Sequence, residues 1–242
     1  MEARITYIHH NCFFLGLGGR SFLFDLPSSA HLPAGAAALA RRLAAGQDLI
    51  AVVSHSHEDH FDPGLAQALS SAARLRYIVS YDVPDMFPDA LPDDPETTLV
   101  IEPDEPREFA GLRLEALESN DLGVALLMEV DGRTVYFGGD LADWSWPGQP
   151  EQARRFAQEF FSTALERLAR RGVDLAFSNV DGRLPNLAGG PDFVRAVRPK
   201  VFVPMHTFGR TKVLARFISK LGRHESRIFA YEASGDQASF VI

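Results

Sequence analysis

The chain has 242 residues, 46% of them hydrophobic and 23% charged, and carries a formal net charge of −8. This is an ordinary globular composition with enough apolar residues for a sizeable core, in one large domain or two small ones. The negative balance argues against a surface that wraps bare nucleic acid, and the single cysteine, Cys12, excludes an internal disulfide and cysteine-rich zinc modules.

Residues 5–25, ITYIHHNCFFLGLGGRSFLFD, are rich in β-branched and aromatic side chains, and Gly18-Gly19 offers a tight hairpin turn. Cys12 lies in this apolar pattern and reads as a small core residue. The alanine-rich stretch 33–46 predicts a helix that Gly46 stops. DLIAVVS, residues 48–54, is short, continuous and apolar, as a fully buried strand is. A helix opened by Pro63 is expected over 63–73, followed by a buried strand at RYIVS. Between Asp82 and Pro106 prolines recur among acids, which predicts mostly loop with a short strand at TTLVI.

LRLEALE, VALLMEVDG and TVYFGGD then predict a β-meander, with Asp131-Gly132 turning between its last two strands. Residues 150–172 form the strongest helical pattern. Phe156, Phe160, Phe161, Ala164, Leu165 and Leu168 fall on one expected face, and Gly172 ends it. A strand at VDLAFSNV, a helix near PDFVRAV, a strand at KVFVPMH, a helix through KVLARFISKLG and two closing strands complete the series. Hairpins come first and helix-strand alternation later, in both halves, so the expected architecture is packed sheets with helices outside in one continuous domain, 1–242. No signal-peptide pattern opens the chain and no run is apolar enough to span a bilayer, so the expectation is a cytoplasmic protein with no membrane partner.

The segment VVSHSHEDHFD, residues 52–62, gathers His55, His57, Glu58, Asp59 and His60 at the end of the predicted buried strand. On extended backbone His55 and His57 project to one side. Asp59 and His60 follow where the chain turns toward a helix and can fold back on the same point. Neutral imidazole with carboxylate suits Zn²⁺, and also iron or manganese. Without an ion, so many polar rings at a strand end would lack partners.

HSHEDH resembles the H-x-H-x-D-H signature of the metallo-β-lactamase superfamily. TYIHHNCFFL with SFLFDLP is similar to that superfamily's opening hairpin, TVYFGGDL to its strand ending in glycine-aspartate, and VFVPMHTFG to the strand carrying its last metal histidine. The pattern looks most like the small stand-alone lactonases and ascorbate-phosphate lactonases. The residues SNDLGVALLMEVDGRTVYFGGDLADWSW look like a subgroup of uncharacterised hydrolases. The resemblance implies a four-layer αββα sandwich with one or two divalent ions at the edge between the sheets. It implies a ligand set of His55, His57, Asp59, His60, Asp140 and His206. By residue type alone Asp140 could equally cap a helix and His206 could be a structural residue. The resemblance also implies His10, or its neighbour His9, near the site, where it could donate to a developing oxyanion.

One departure bears on the first metal. The family takes a third histidine there, but no histidine occurs between residues 61 and 205. Glu118 or Asp121 in EALESNDLG could replace it, water could fill the place, or a single ion could bind in the second site. Asp59 would orient or deprotonate the attacking water. Trp144 and Trp146 could wall the substrate or simply cover core. Arg183 and Arg210 are the nearest basic groups for an anionic substrate. The expected activity is metal-dependent hydrolysis of a small ester, lactone or phosphate-bearing metabolite. The rival expectations are a metal-binding sensor that has lost hydrolysis, and a phosphodiesterase or nuclease.

Overall fold

The computed structural model describes residues 1–242. The chain begins with β1 (Glu2–His9), β2 (Cys12–Leu17) and β3 (Arg20–Phe24), an antiparallel meander turned at Gly18-Gly19 as expected. It continues through α1 (Ala34–Ala44), β4 (Asp48–Val53), α2 (Leu65–Ala68), β5 (Arg74–Ser80), α3 (Asp82–Met86) and β6 (Thr98–Ile101). A second meander follows, made of β7 (Arg107–Phe109), β8 (Leu112–Glu118), β9 (Val124–Val130) and β10 (Arg133–Phe137). It leads into α4 (Glu151–Arg171), β11 (Leu175–Asn179), α5 (Gly190–Val197), β12 (Val201–Met205), α6 (Val213–Leu221), β13 (Arg227–Ile228) and β14 (Gln237–Val241).

The strands form two seven-stranded sheets, ordered β14-β1-β2-β3-β4-β5-β6 and β13-β12-β11-β10-β9-β8-β7. In each, antiparallel strands give way to parallel ones: β3 to β6 in the first, β10 to β13 in the second. Parallel neighbours need crossovers, and the helices supply them. The inner faces meet through aromatic rings; Phe24 lies 4.5 Å from Phe137 and 5.0 Å from Phe177. On the outer face of the first sheet, Leu23, Leu49, Ala51 and Val53 pack with Leu39, Leu65 and Val83 from α1 to α3. Residues of α4, α5 and α6 join the main core against the second sheet. The result is the expected four-layer αββα sandwich. β11 and β12 are buried at every position because both their faces are covered, which is why they read as unbroken apolar runs. No helix is long and apolar enough to cross a membrane.

Three local expectations are corrected, and one short strand is added. The helix expected over 63–73 is only the single turn of α2, because the following residues bind elsewhere: the N–H of Gly46 donates to the Ser71 carbonyl and that of Ala73 to the Gln47 carbonyl. The acidic, proline-rich stretch contains α3, whose Pro84 sits in the first turn, where no backbone N–H has a helical acceptor. The three-residue edge strand β7 carried no sequence pattern. Phe156 does not join the buried face of α4: the buried stripe is Ala157, Phe161, Ala164, Leu165 and Leu168, and Phe156 is 60% exposed with Phe160 at the margin. Residues 157, 161, 164, 165 and 168 share a helical phase from which 156 and 160 are rotated by about 100°.

Candidate metal centre

The parallel strands of both sheets end at one edge, and the loops beyond them carry the chemistry, as open α/β sheets commonly arrange it. His10 lies in the β1–β2 turn, His55 to His60 in the loop after β4, and Asp121 between β8 and β9. Asp140 follows β10, Asp181 and Arg183 follow β11, and His206 follows β12. The HSHEDH histidines lie in the loop rather than on the strand itself, yet the rings of His55 and His57 stand 4.6 Å apart. Asp82 holds this loop by accepting the Ser56 N–H at 2.8 Å. His10, Asp25 and His206 all have positive φ, of 52°, 34° and 64°. Such strained non-glycine backbone tends to gather at functional sites.

Close approach of the two sheets here depends on glycine. A Cβ on Gly123 would lie 2.2 Å from the Ser54 carbonyl oxygen, and one on Gly139 would lie 2.7 Å from Ser54 Cβ. Gly139 is the residue directly before Asp140.

Asp140, buried between the sheets, is the hub. Its Oδ1 is 3.4 Å from His60 Nε2, and its Oδ2 is 3.4 Å from His206 Nε2 and 3.8 Å from His55 Nε2. Asp59 Oδ2 lies 3.8 Å from His60 Nε2 and 3.4 Å from His10 Nε2. Three groups have ligand atoms within 4.8 Å of one another: His10, His60 and His206; His55, His60 and Asp140; and His57, Asp121 and Asp140.

The other ring nitrogens decide which imidazoles can bind a cation. Ser54 Oγ donates to Asp25 Oδ2 at 2.7 Å, so it accepts from His55 Nδ1 at 2.9 Å. His60 Nδ1 donates to Asp25 Oδ2 at 2.7 Å, and His206 Nδ1 to Asp181 Oδ2 at 3.1 Å. Each ring therefore keeps its proton on Nδ1 and turns Nε2 toward Asp140. His55 Nε2 is buried with no hydrogen-bond partner, since 3.8 Å to Asp140 is too long for a bond. An orphaned lone pair beside a carboxylate is what a metal ligand leaves when no ion is there.

Charge follows the same logic. Burial, with His60 close by, holds His55 well below the usual imidazole value, so the ring is neutral. Burial would likewise lower His60 and His206, but Asp140 overrides it and both are raised. Burial works to raise Asp140, and His60 and His206 overcome it, keeping it well below the usual carboxylate range. Without an ion these two rings hold protons against Asp140, and an ion would take the place of those protons.

His10 has the opposite tautomer. Its Nδ1 accepts the Phe208 N–H at 3.4 Å, and burial, helped by the neighbouring His206, pushes its pKa down to about 3. A neutral ring accepting at Nδ1 carries its proton on Nε2, which faces Asp59. In this tautomer His10 Nε2 is a donor, 3.4 Å from Asp59 Oδ2 and 3.3 Å from His60 Nε2. His9 is only half-buried and packs near Gly209.

The cleft above these groups has a volume of 380 Å³, and its walls include His57, Asp59, Asp121, Trp144, Trp146, Arg183 and Phe208. Trp144 and Trp146 stack at 6.1 Å with their planes 6° apart. Two expected residues are elsewhere. Glu118 is exposed and lines a separate groove with Leu117, Phe156 and Arg167. Arg210 is exposed outside the cleft, in the turn before α6. Sequence reasoning missed Asp25, Ser54 and Asp181; the one available signal was an acid directly after an apolar strand, in SFLFD and in FSNVD.

No family model matches the chain, and no curated protein matches it. Solved structures do. Igni18, a metallo hydrolase from the hyperthermophilic archaeon Ignicoccus hospitalis, is similar with a TM-score of 0.65 at 15% identity, over 100% of both chains. The metallo-β-lactamase fold protein YhfI from Bacillus subtilis gives 0.67 at 15% identity, over 99% of both chains. A diphosphatase from the PhnP family gives 0.58 at 12% identity, over 99% of this chain and 98% of the other. With the two-sheet topology and its shared edge, these likenesses show that the chain has the metallo-β-lactamase fold.

Proposed function

We propose that the protein is a metal-dependent hydrolase of a small ester, lactone or phosphate-bearing metabolite. The observation that carries this reading is the convergence of His55, His60, His206 and Asp59 around buried Asp140, with His55 Nε2 left unpartnered. One or two ions would be held by His55, His57, Asp59, His60, Asp121, Asp140 and His206. Zn²⁺, Mn²⁺ or Fe²⁺ held there would supply Lewis acidity, polarising the oxygen under attack and making water nucleophilic near neutral pH.

The chain's own groups do the rest. Asp25, through Ser54 and directly, fixes His55 and His60, and Asp181 fixes His206. His10 offers its Nε2 proton to the oxygen on which negative charge develops. Asp59 faces that proton, and although burial works to raise its pKa, His10 and His60 hold it below the usual range, so it remains ionised. Trp144, Trp146 and Phe208 keep bulk water from one wall. Asp121, whose carboxylate lies within 4.8 Å of ligand atoms of His57 and Asp140, supports this reading over a module that has lost hydrolysis, because it offers a donor in place of the absent imidazole.

The test is reconstitution. Chelated protein should be inactive and regain hydrolysis with Zn²⁺, Mn²⁺ or Fe²⁺ on at least one member of a panel of esters, lactones and phosphoesters. Fully metallated protein that turns over none of them would overturn the proposal.

A further inference from the structure

Arg183 is the only lysine or arginine lining the cleft. Its guanidinium is pinned. Nε donates to both oxygens of Asp181, at 3.0 and 2.9 Å, and Nη2 donates to Asp181 Oδ2. It also lies against two rings, 5.1 Å from the centre of Trp146 and 4.6 Å from that of Phe208. Nη1 bonds to no protein atom, and the side chain is 43% exposed. A guanidinium already ordered by stacking and by a carboxylate loses little freedom when it takes one more acceptor.

A purely structural role for this arrangement is incomplete. Arg183 Nε and Nη2 hold Asp181, which orients His206, and Nη1 takes no part in that task. The Asp181 carboxylate touches both His206 Nδ1 and Arg183, so the unused donor sits beside the wall of the metal centre rather than at a remote surface. Asp59, Asp121 and Asp140 also line the cleft. Divalent ions bound there would offset these three carboxylates, so the loaded cleft would accept an anion more readily than the carboxylates alone would allow.

We propose that Arg183 Nη1, with the faces of Trp146 and Phe208, forms an oxyanion subsite, so that the substrate carries a carboxylate or phosphate group besides the bond that is cleaved. This rests on the hydrolase reading for its meaning, but it concerns binding and can be measured separately. The group approaches Nη1 at the open end of the fork, and its apolar neighbour atoms lie on the Trp146 ring. The scissile bond is then directed toward Asp140 and His10.

The chain has only two tryptophans, Trp144 and Trp146, and both line the cleft, so tryptophan fluorescence reports occupancy of this region. The experiment titrates wild type, Arg183→Met and Arg183→Lys with benzoate, phenylphosphonate and benzyl alcohol, in metal-loaded and chelated protein, with metal content measured for each. Both oxyanions, or one of them, should bind wild type saturably and lose affinity by about tenfold or more in Arg183→Met, as loss of a charged hydrogen bond implies. Arg183→Lys should recover part of the loss, and metal content should not change. The tighter of the two probes identifies carboxylate or phosphate as the source. Benzyl alcohol should bind all three proteins alike.

Equal oxyanion affinity in wild type and Arg183→Met overturns the subsite, and so does benzyl alcohol binding as tightly as the anions. A protein that hydrolyses nothing yet shows the Arg183-dependent binding would lose the catalytic reading and keep this one. Hydrolysis with Arg183-independent binding would do the reverse.

Discussion

Between Leu117 and Gly123 the chain leaves β8 and turns back into β9, and the path of that turn selects the acid that reaches the cleft. Glu118 is the last residue of the strand, exposed although it shares the face of buried Leu114 and Ala116, and it lines a separate groove rather than the cleft. Asp121 is in the turn and meets His57 and Asp140. Burial, then the adjacent Asp140, raises its pKa. The sequence offered both acids with no means to choose, because three residues of turn geometry separate them. Asp121→Ala should lose about one ion per chain, as removal of a ligand from a site of few donors implies. Glu118→Ala should keep the wild-type stoichiometry. Elemental analysis after dialysis against the metal decides it, and an unchanged count in Asp121→Ala removes that residue from the ligand set. His10 poses the complementary question. Because its Nδ1 accepts from Phe208, His10→Ala should retain all its metal while kcat on a panel substrate falls by about a hundredfold, the usual effect of losing an oxyanion donor. Loss of an ion instead would make His10 a ligand.

At the scale of elements, the buried strands were legible because packing on both faces leaves an apolar run that nothing else produces: β4, β11 and β12 stand where the sequence puts them. The short pieces were not. α2 and α3 hold a single turn each, below the length at which periodicity carries information, and β7 is defined only by its partner β8. The supporting acids Asp25 and Asp181 were illegible for a related reason. Their role depends on which imidazole from a distant loop arrives beside them, and no local pattern records that. Gly123 shows how tightly those loops are set. With φ at +68° and the Ser54 carbonyl 2.2 Å from a built Cβ, alanine has neither the conformation nor the space. Gly123→Ala should destabilise the protein by about 3 kcal/mol, combining backbone strain with overpacking. It should also weaken metal binding, because Ser54 and His55 must shift. Thermal unfolding with and without metal reads both effects; a variant with wild-type Tm would show that the β8–β9 turn yields freely.

Over the whole molecule, the two ends of the parallel strands do opposite work. The carboxyl ends hold crowded imidazoles, strained backbone and an unpartnered nitrogen, and they bring His55 and His60 from the first sheet to Asp140 and His206 from the second. The amino ends of β10, β11 and β12 are fastened by ordinary means. Asp174 accepts the Thr134 N–H at 2.9 Å and pairs with Lys200 at 2.6 Å and Arg133 at 3.8 Å, joining the three strands at one carboxylate. Burial opposes ionisation of Asp174, but Lys200 and the Thr134 N–H overcome it, so its folded pKa lies below the usual value. A depressed folded pKa means that the stabilisation is complete above the unfolded value, about 3.9, and disappears as pH falls through the folded one. Asp174→Asn should therefore be less stable than wild type by about 1 kcal/mol, the size of one charged hydrogen-bond set with solvent-exposed partners. That deficit should stay constant from about pH 5 to 8 and close below about pH 4. It should also be the same in chelated and metal-loaded protein, since a site at the far end of the strands adds its own increment independently. Denaturant titrations across that pH range, with and without the ion, measure both claims. A deficit that persists at pH 3 would assign the effect to packing, and one that changes with metal would mean that the two ends are coupled through the strands between them.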